Sequence, residues 1–162
     1  METRKIPKTD LNLSAIAFGS FASGGWAPSE KKAATEAIRA SYQMGITTFD
    51  TAPIYGLGET ETVIGEALKP FPRDKIQILT KFGLRWIYQK GTYFRSFINF
   101  DGKKVDIYRY ASKESVIEEC ENSLKRLNMD YIDLYQIHRW DNATPIEETM
   151  EALNDLVRSG KV

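Results

Sequence analysis

The sequence predicts an α/β fold of the (β/α)8 TIM-barrel type, of which the 162 residues supply the N-terminal half: about four βα units preceded by a short β-hairpin. Three observations predict it. Strand-like and helix-like segments alternate along the chain, which demands a mostly parallel sheet with right-handed crossovers. Four such units fill about 160 residues, so a closed barrel with similar loops needs about 320, within the range of that fold. The competing architecture, a complete doubly wound sheet, should carry a phosphate-binding G-x-G-x-x-G at its first βα turn. Gly19-Ser20-Phe21-Ala22-Ser23-Gly24 does not match it.

The elements follow in order. Thr3 to Ile6 and Leu11 to Leu13 flank a turn at Pro7 to Asp10 and read as the hairpin. Ala15 to Phe18, ended by Gly19-Ser20, reads as the first inner strand. Pro28-Ser29-Glu30 opens a helix, with Ser29 placed to cap it and Glu30 suited to the positive end of the helix dipole; Ala34, Ile38 and Met44 keep helical spacing until Gly45. The pattern then repeats as strand Ile46 to Asp50, helix Glu59 to Leu68, strand Ile76 to Thr80, helix Ser112 to Leu127 and strand Tyr131 to Ile137. Thr144-Pro145-Ile146-Glu147 reads as a capping box with proline in the first helical turn, opening a last helix whose apolar stripe is Ile146, Met150, Leu153, Leu156 and Val157. Residues 1–162 are thus expected to be one half-barrel unit whose C-terminal half is absent, with Leu84 to Tyr110 inserted as a long βα loop.

Composition narrows the function. Lys plus Arg and Asp plus Glu number 22 each, so there is no net charge to recruit nucleic acid. No apolar run has the roughly 18 residues of a membrane span, and METRKIPKTD lacks the apolar core of a secretory signal, so a cytoplasmic location is expected. One cysteine excludes an internal disulfide, and one histidine leaves a His/Cys metal cluster without ligands, so no metal is expected. Cys120, between Ile117 and Leu124 on one helix face, reads as a small buried hydrophobe.

In a parallel barrel the C-terminal strand ends share one face, where reactive groups gather. Those ends hold Asp50, Lys81 and His138 on three successive strands, and Tyr55 follows Asp50 in a turn restricted by Pro53 and Gly56. Each has an ordinary structural explanation: a helix cap for the Asp, a solvated ammonium for the Lys, a packed imidazole for the His. Together they make an acid–base set. Lowering a phenol's pKa by about 2 units takes roughly 3 kcal/mol, which a desolvated ammonium can supply. Lys81 is that ammonium, with Asp50 as counter-ion; Tyr55 then protonates a forming alkoxide and His138 orients the carbonyl.

Asp50-Thr51-Ala52-Pro53-Ile54-Tyr55-Gly56, with Glu59 and Gly65 downstream, Thr80-Lys81 and Asp130-Tyr131-Ile132-Asp133-Leu134-Tyr135-Gln136-Ile137-His138 resemble the aldo-keto reductase family, NADPH-dependent oxidoreductases built on a (β/α)8 barrel. The resemblance covers the whole chain. It implies reduction of an aldehyde or ketone with NADP(H), Tyr55 as general acid, Lys81 lowering its pKa, Asp50 pairing with Lys81 and approaching the nicotinamide ribose, and His138 orienting the carbonyl. It also implies that Gly19, Ser20 and Phe21 flank the nicotinamide end. The family's phosphate- and adenine-binding residues belong to later strands, so the 162 residues are either part of a longer chain or a half-barrel that stands alone. In the second case the isolated half should bind cofactor weakly, have little or no activity, and self-associate through its open sheet edges.

The insertion Leu84 to Tyr110 holds Trp86, Tyr88, Tyr93, Phe94, Phe97, Phe100, Tyr108 and Tyr110 and is net positive, with Arg85, Lys90, Arg95, Lys103, Lys104 and Arg109 against Asp101 and Asp106. It reads either as a hairpin packed by its own aromatics, turning at Asp101-Gly102, or as a lid that favours anionic or polyhydroxylated substrates. Trp26, Trp86 and Trp140 are expected walls of the substrate pocket, or packing residues between loops. Two other functions compete with carbonyl reduction: a Schiff-base aldolase acting through Lys81, and a non-catalytic nucleotide-sensing partner protein, as the family's potassium-channel β subunits imply.

Overall fold

The computed structural model describes residues 1–21, 28–99 and 101–162. Phe18–Gly19 (β3), Thr48–Asp50 (β4), Gln77–Phe82 (β5) and Leu134–Ile137 (β9) form a four-stranded sheet in the order β3-β4-β5-β9, every pair parallel. Sequential neighbours without a switch in strand order are what a barrel requires and a doubly wound sheet does not have. The crossovers are the helices Pro28–Gln43 (α1), Glu59–Leu68 (α2) and Lys113–Leu127 (α3); Ile146–Arg158 (α4) follows β9.

Alternation along the strands sorts two layers. Phe49, Ile78 and Phe82 point to the helices and pack with Ile38, Val63, Ile64, Ala67, Val116 and Leu124 in one apolar core. The intervening positions point away from the helices and hold Asp50, Leu79 and Lys81. At Gly65 a Cβ would stand 2.1 Å from the Leu127 carbonyl oxygen, so α2 and α3 approach as closely as they do only because that position is glycine. Ser112 caps α3 by accepting from the Ser115 amide, and Asn128, with φ 53°, ends it in a left-handed turn.

Thr3–Lys5 (β1) and Asn12–Ser14 (β2) form the expected antiparallel hairpin. The first inner strand is shorter than expected, because Ser14 intervenes. Its hydroxyl donates to the Ile16 carbonyl and accepts from the Thr47 and Thr48 amides, holding residues 14–17 at the N-terminal edge of β4 and leaving Ile16 exposed. The last strand likewise starts at Leu134 rather than Tyr131, since the Asp133 carboxylate turns inward to Arg73 and the Ile78 amide.

The capping box at α4 does not form. Thr144 donates its hydroxyl to buried Asp141 instead, and Pro145 occupies the cap without a side-chain bond. Asp141 also accepts from the Ala111 and Ala143 amides, three partners that a helix cap does not match. The buried face of α4 is Thr149, Ala152 and Leu156 with Leu153 beside it, whereas Ile146, Met150 and Val157 are exposed. Helix α4 is therefore rotated from the stripe read in its sequence, toward the surface where Thr149 donates to the Ala111 carbonyl.

The insertion is a small antiparallel sheet, Leu84–Arg85 (β6), Lys104–Arg109 (β8) and Thr92–Ile98 (β7), in the order β6-β8-β7. It turns where expected: Gly102, at φ 73°, donates to the Asn99 carbonyl. Phe100 lies outside the described residues, as do Trp26 and the side chain of Ser29. Arg85 is 2% exposed and roots this sheet on α3 through Glu118 at 2.9 Å, which also accepts from the Tyr88 hydroxyl.

Candidate active site

Residue Asp50 ends β4, Lys81 is the penultimate residue of β5, and His138 follows β9, its amide donating to the Phe82 carbonyl. Tyr55 starts a 3-10 turn, Tyr55–Gly58, whose amides fold back on Ala52 and Ile54. Gly56, Leu57 and Gly58 all adopt positive φ there, so the turn reverses tightly enough to swing the phenol back over the strand ends.

The four side chains converge. Lys81 Nζ donates to Asp50 Oδ1 and Oδ2 at 2.8 and 3.0 Å and to the Thr51 carbonyl at 2.8 Å, which engages all three of its protons. The same ammonium lies 5.3 Å from the centre of the Tyr55 ring. That ring stands edge-on to His138, centroids 5.7 Å apart, and edge-on to Phe21 at 5.2 Å. Lys81 therefore meets the phenol through its field, while Asp50 and Thr51 hold it in place. Burial pushes the His138 imidazole down to about 4, helped by the Lys81 and Arg139 charges and opposed by Asp50, so it is neutral at neutral pH.

Behind this face, Thr80 donates to Oε1 of fully buried Glu61 at 2.6 Å, and Arg126 Nε donates to Glu61 Oε2 at 2.7 Å, tying β5 to α2 and α3. The Gly83 amide, at the end of β5, donates to buried Glu119 at 3.0 Å. Arg85 makes its close bond to Glu118 and stays 3.8 Å from Glu119, so burial dominates and raises the Glu119 carboxyl to about 8.

A cavity of about 830 Å³ opens over Tyr55 and His138. Its aromatic wall is Phe21, Phe94 and Phe97, with Arg95 and Arg139 at the side. The lining does not include Trp86 or Trp140; Trp140 is exposed, and Trp86 sits at the root of the inserted sheet. The sequence offers the tryptophans as walls because aromatic rings give area with few rotamers, whereas Phe94 and Phe97 of the hairpin are the rings that line the cavity, and Trp86 and Trp140 are left to the packing alternative. Arg139, which the sequence motifs do not single out, follows His138 directly. Ser20 is fully buried, and both its amide and its hydroxyl donate to the Asp50 carbonyl, so it fixes the strand end that carries Asp50. Gly19 is paired with Asp50, and among the described residues a Cβ placed on it would meet nothing within 4 Å; Phe21 is 66% exposed.

A family model described as "Aldo/keto reductase family" matches residues 15–162. The chain belongs to the aldo/keto reductase family. It is 40% identical to the aldo-keto reductase YhdN of Bacillus subtilis over 165 residues, covering 100% of this chain and 45% of that protein. It is 38% identical to the NADH-specific methylglyoxal reductase of Escherichia coli over 169 residues, covering 98% and 50%. The fold matches the glycerol dehydrogenase AKR11B4 from Gluconobacter oxydans with a TM-score of 0.82 at 35% identity, covering 98% of this chain and 46% of that one. The chain spans about half the length of the curated relatives it matches, and its parallel sheet and helices correspond to half of a (β/α)8 barrel. Among the described residues no helix is long and apolar enough to cross a membrane.

Proposed function

We propose that residues 1–162 form the acid–base half of an NADP(H)-dependent reductase of aldehydes or ketones, with 84–110 as the wall over its substrate. The observation that carries this reading is the convergence of a held ammonium, an adjacent phenol and a neutral imidazole, the last two lining one cavity. The nicotinamide, when bound, supplies hydride to the carbonyl carbon. Gly19, Phe21 and Asp50 fit its nicotinamide end, since among the described residues a Cβ on Gly19, which pairs with Asp50, would meet nothing within 4 Å.

The chain's own groups handle the oxygen. His138, being neutral, donates a hydrogen bond to the carbonyl without competing for its proton, and Tyr55 Oη gives up the proton that the new alcohol keeps. The charge left on Tyr55 meets the Lys81 ammonium, whose position is fixed by Asp50 and Thr51. Because these donors are already aimed, no reorganisation accompanies the transfer. Phe94 and Phe97 present apolar rings to the substrate side.

Lys81 is poorly set for Schiff-base chemistry, because an amine whose protons are shared among three acceptors has no free lone pair for attack. The experiment is oxidation of NADPH and of NADH, followed by absorbance with a panel of aldehydes and ketones, on the protein encoded by the natural reading frame. Alcohol product formed in step with oxidised NADPH supports the reading, and preference for NADH corrects its cofactor. Borohydride trapping of a Lys81 adduct would replace it with an aldolase, and tight cofactor binding without turnover would replace it with a sensing role.

A further inference from the structure

The Phe94 ring is surrounded by guanidinium groups. Arg95, Arg109 and Arg139 place their Cζ atoms 5.6, 5.8 and 5.8 Å from its centre, arriving from β7, β8 and the segment after β9. Among the described residues none of the three has a carboxylate within ion-pair distance, although nearby cations of the same insertion do: Arg85 with Glu118 and Lys104 with Asp106. The Arg109 Nε is buried with no partner. Three like charges around one ring repel one another, and only the ring face attracts them.

Two of them line the cavity, and the strand that carries one is irregular. Tyr93 pairs with Tyr108 and Arg95 with Ile107, so Phe94 is an extra, unpaired residue, a bulge in β7. A bulge breaks the strict alternation that would send neighbouring side chains to opposite faces. Phe94 and Arg95 line the cavity together with the rest of the segment 94–99, and His138 and Arg139 line it as well. The same lining holds Lys31, Glu59 and Asp101; Arg95 and Arg139 are exposed like the two carboxylates, neither of which lies within ion-pair distance of them. The Arg139 and Arg95 charges both oppose protonation of His138, which places that imidazole within their field.

We propose that Arg95 and Arg139 form an anion subsite of this cavity, so that the preferred substrates are carbonyl compounds bearing a carboxylate or phosphate group. The proposal rests on the reading of the cavity as a carbonyl-reducing site and names its substrate class. A guanidinium fork matches two oxygens of either anion, which a hydroxyl cannot do. The Phe94 ring attracts both guanidinium groups, whose Cζ atoms lie 5.6 and 5.8 Å from its centre, and so reduces the ordering that binding requires. Arg109, on the same ring, adds to the field.

The test compares succinic semialdehyde and glyceraldehyde 3-phosphate with the uncharged butanal and glyceraldehyde, in the natural-length protein and its R95Q/R139Q variant. The expected result is that kcat/KM for a charged substrate falls at least tenfold more than for its uncharged counterpart, chiefly through KM, and that the wild-type preference shrinks with added salt. The substrate that responds distinguishes carboxylate from phosphate. Equal losses on charged and uncharged substrates, or none, would overturn the proposal. A parallel loss of NADPH affinity would also overturn it, because the arginines would then serve the cofactor. Succinate and inorganic phosphate are also titrated against the arginine Nε–H signals by NMR. If no carbonyl compound is reduced, the carbonyl-reducing reading fails alone, and saturable shifts lost in R95Q/R139Q still establish the subsite while their absence refutes it.

Discussion

Replacing Tyr55 with phenylalanine removes one oxygen and little else. The ring contacts to Phe21 at 5.2 Å and His138 at 5.7 Å involve ring carbons, and the Lys81 ammonium, held by Asp50 and Thr51, does not depend on the phenol for its position. Among the described residues the Tyr55 hydroxyl has no hydrogen-bond partner in the protein, so its loss leaves no buried group unpaired, and folding stability should change by less than about 0.5 kcal/mol. The chemistry should respond very differently. A positioned general acid contributes about a hundred- to ten-thousand-fold, equivalent to about 3 to 5 kcal/mol of transition-state stabilisation at 1.36 kcal/mol per tenfold. Turnover should therefore fall by that factor, while NADPH affinity, read by fluorescence titration, and the urea midpoint stay near the wild-type values. Steady-state rates measured beside the two controls decide the matter. An unaltered kcat refutes the general-acid assignment, and a kcat loss matched by a loss of stability or of cofactor binding shows that the ring was structural.

Three further outcomes are expected. Gly65→Ala should cost about 2 kcal/mol or more in urea unfolding despite the better helix propensity of alanine, because its Cβ would lie 2.1 Å from the Leu127 carbonyl oxygen; a neutral result would show that α2 and α3 separate freely. Glu119, raised to about 8 in the folded chain, binds a proton that the unfolded chain releases near 4.5, so its contribution to stability is complete below about 4.5 and is lost as pH rises through 8, and Glu119→Gln should flatten that slope of at most about 1.4 kcal/mol per pH unit. His138, lowered to about 4, has the opposite sign: its contribution holds above about 6.5 and is lost as pH falls toward 4, and an NMR titration of its ring protons with a midpoint near the ordinary 6.5 would contradict the neutral-donor role.

What could be read from the sequence was whatever local pattern decides. Helix α2 has the boundaries its sequence suggests, the insertion turns at Asp101-Gly102, and Asp50, Lys81 and His138 share one end of the sheet because its strands run parallel. What was not legible depends on competition between distant groups. Thr144 has the sequence of a cap, yet the Asp141 carboxylate collects its hydroxyl along with two amides from separate segments. The first strand reads as Ala15 to Phe18 until Ser14, 34 positions from Thr48, takes over the hydrogen bonds at the start of β4. The sequence does not show Phe94 and Phe97 as pocket walls, because a hairpin with aromatics on both faces does not announce which face it presents, and the bulge at Phe94 appears only in the pairing.

The acid–base set also depends on register, and the register is held from the opposite face of the sheet. Asp50 pairs with Leu79 and Lys81 with Gln136, so Lys81 stands two residues beyond the rung of Asp50, and His138 two beyond the rung of Lys81. Even offsets keep all three on one face, and two residues of strand, about 6.6 Å, is a distance that a lysine stem can fold back across. A slip of one residue in either pairing would turn Lys81 into the helix layer and expose Thr80 to the cavity. Thr80 resists that slip, because its hydroxyl is bonded to Glu61, whose other oxygen is held by Arg126 of α3. An apolar contact at Thr80 would tolerate sliding, whereas a buried carboxylate that loses its partner is strongly destabilised. The fully buried Glu61 thus supplies specificity of pairing on the outer face, and the chemistry of the inner face follows from it.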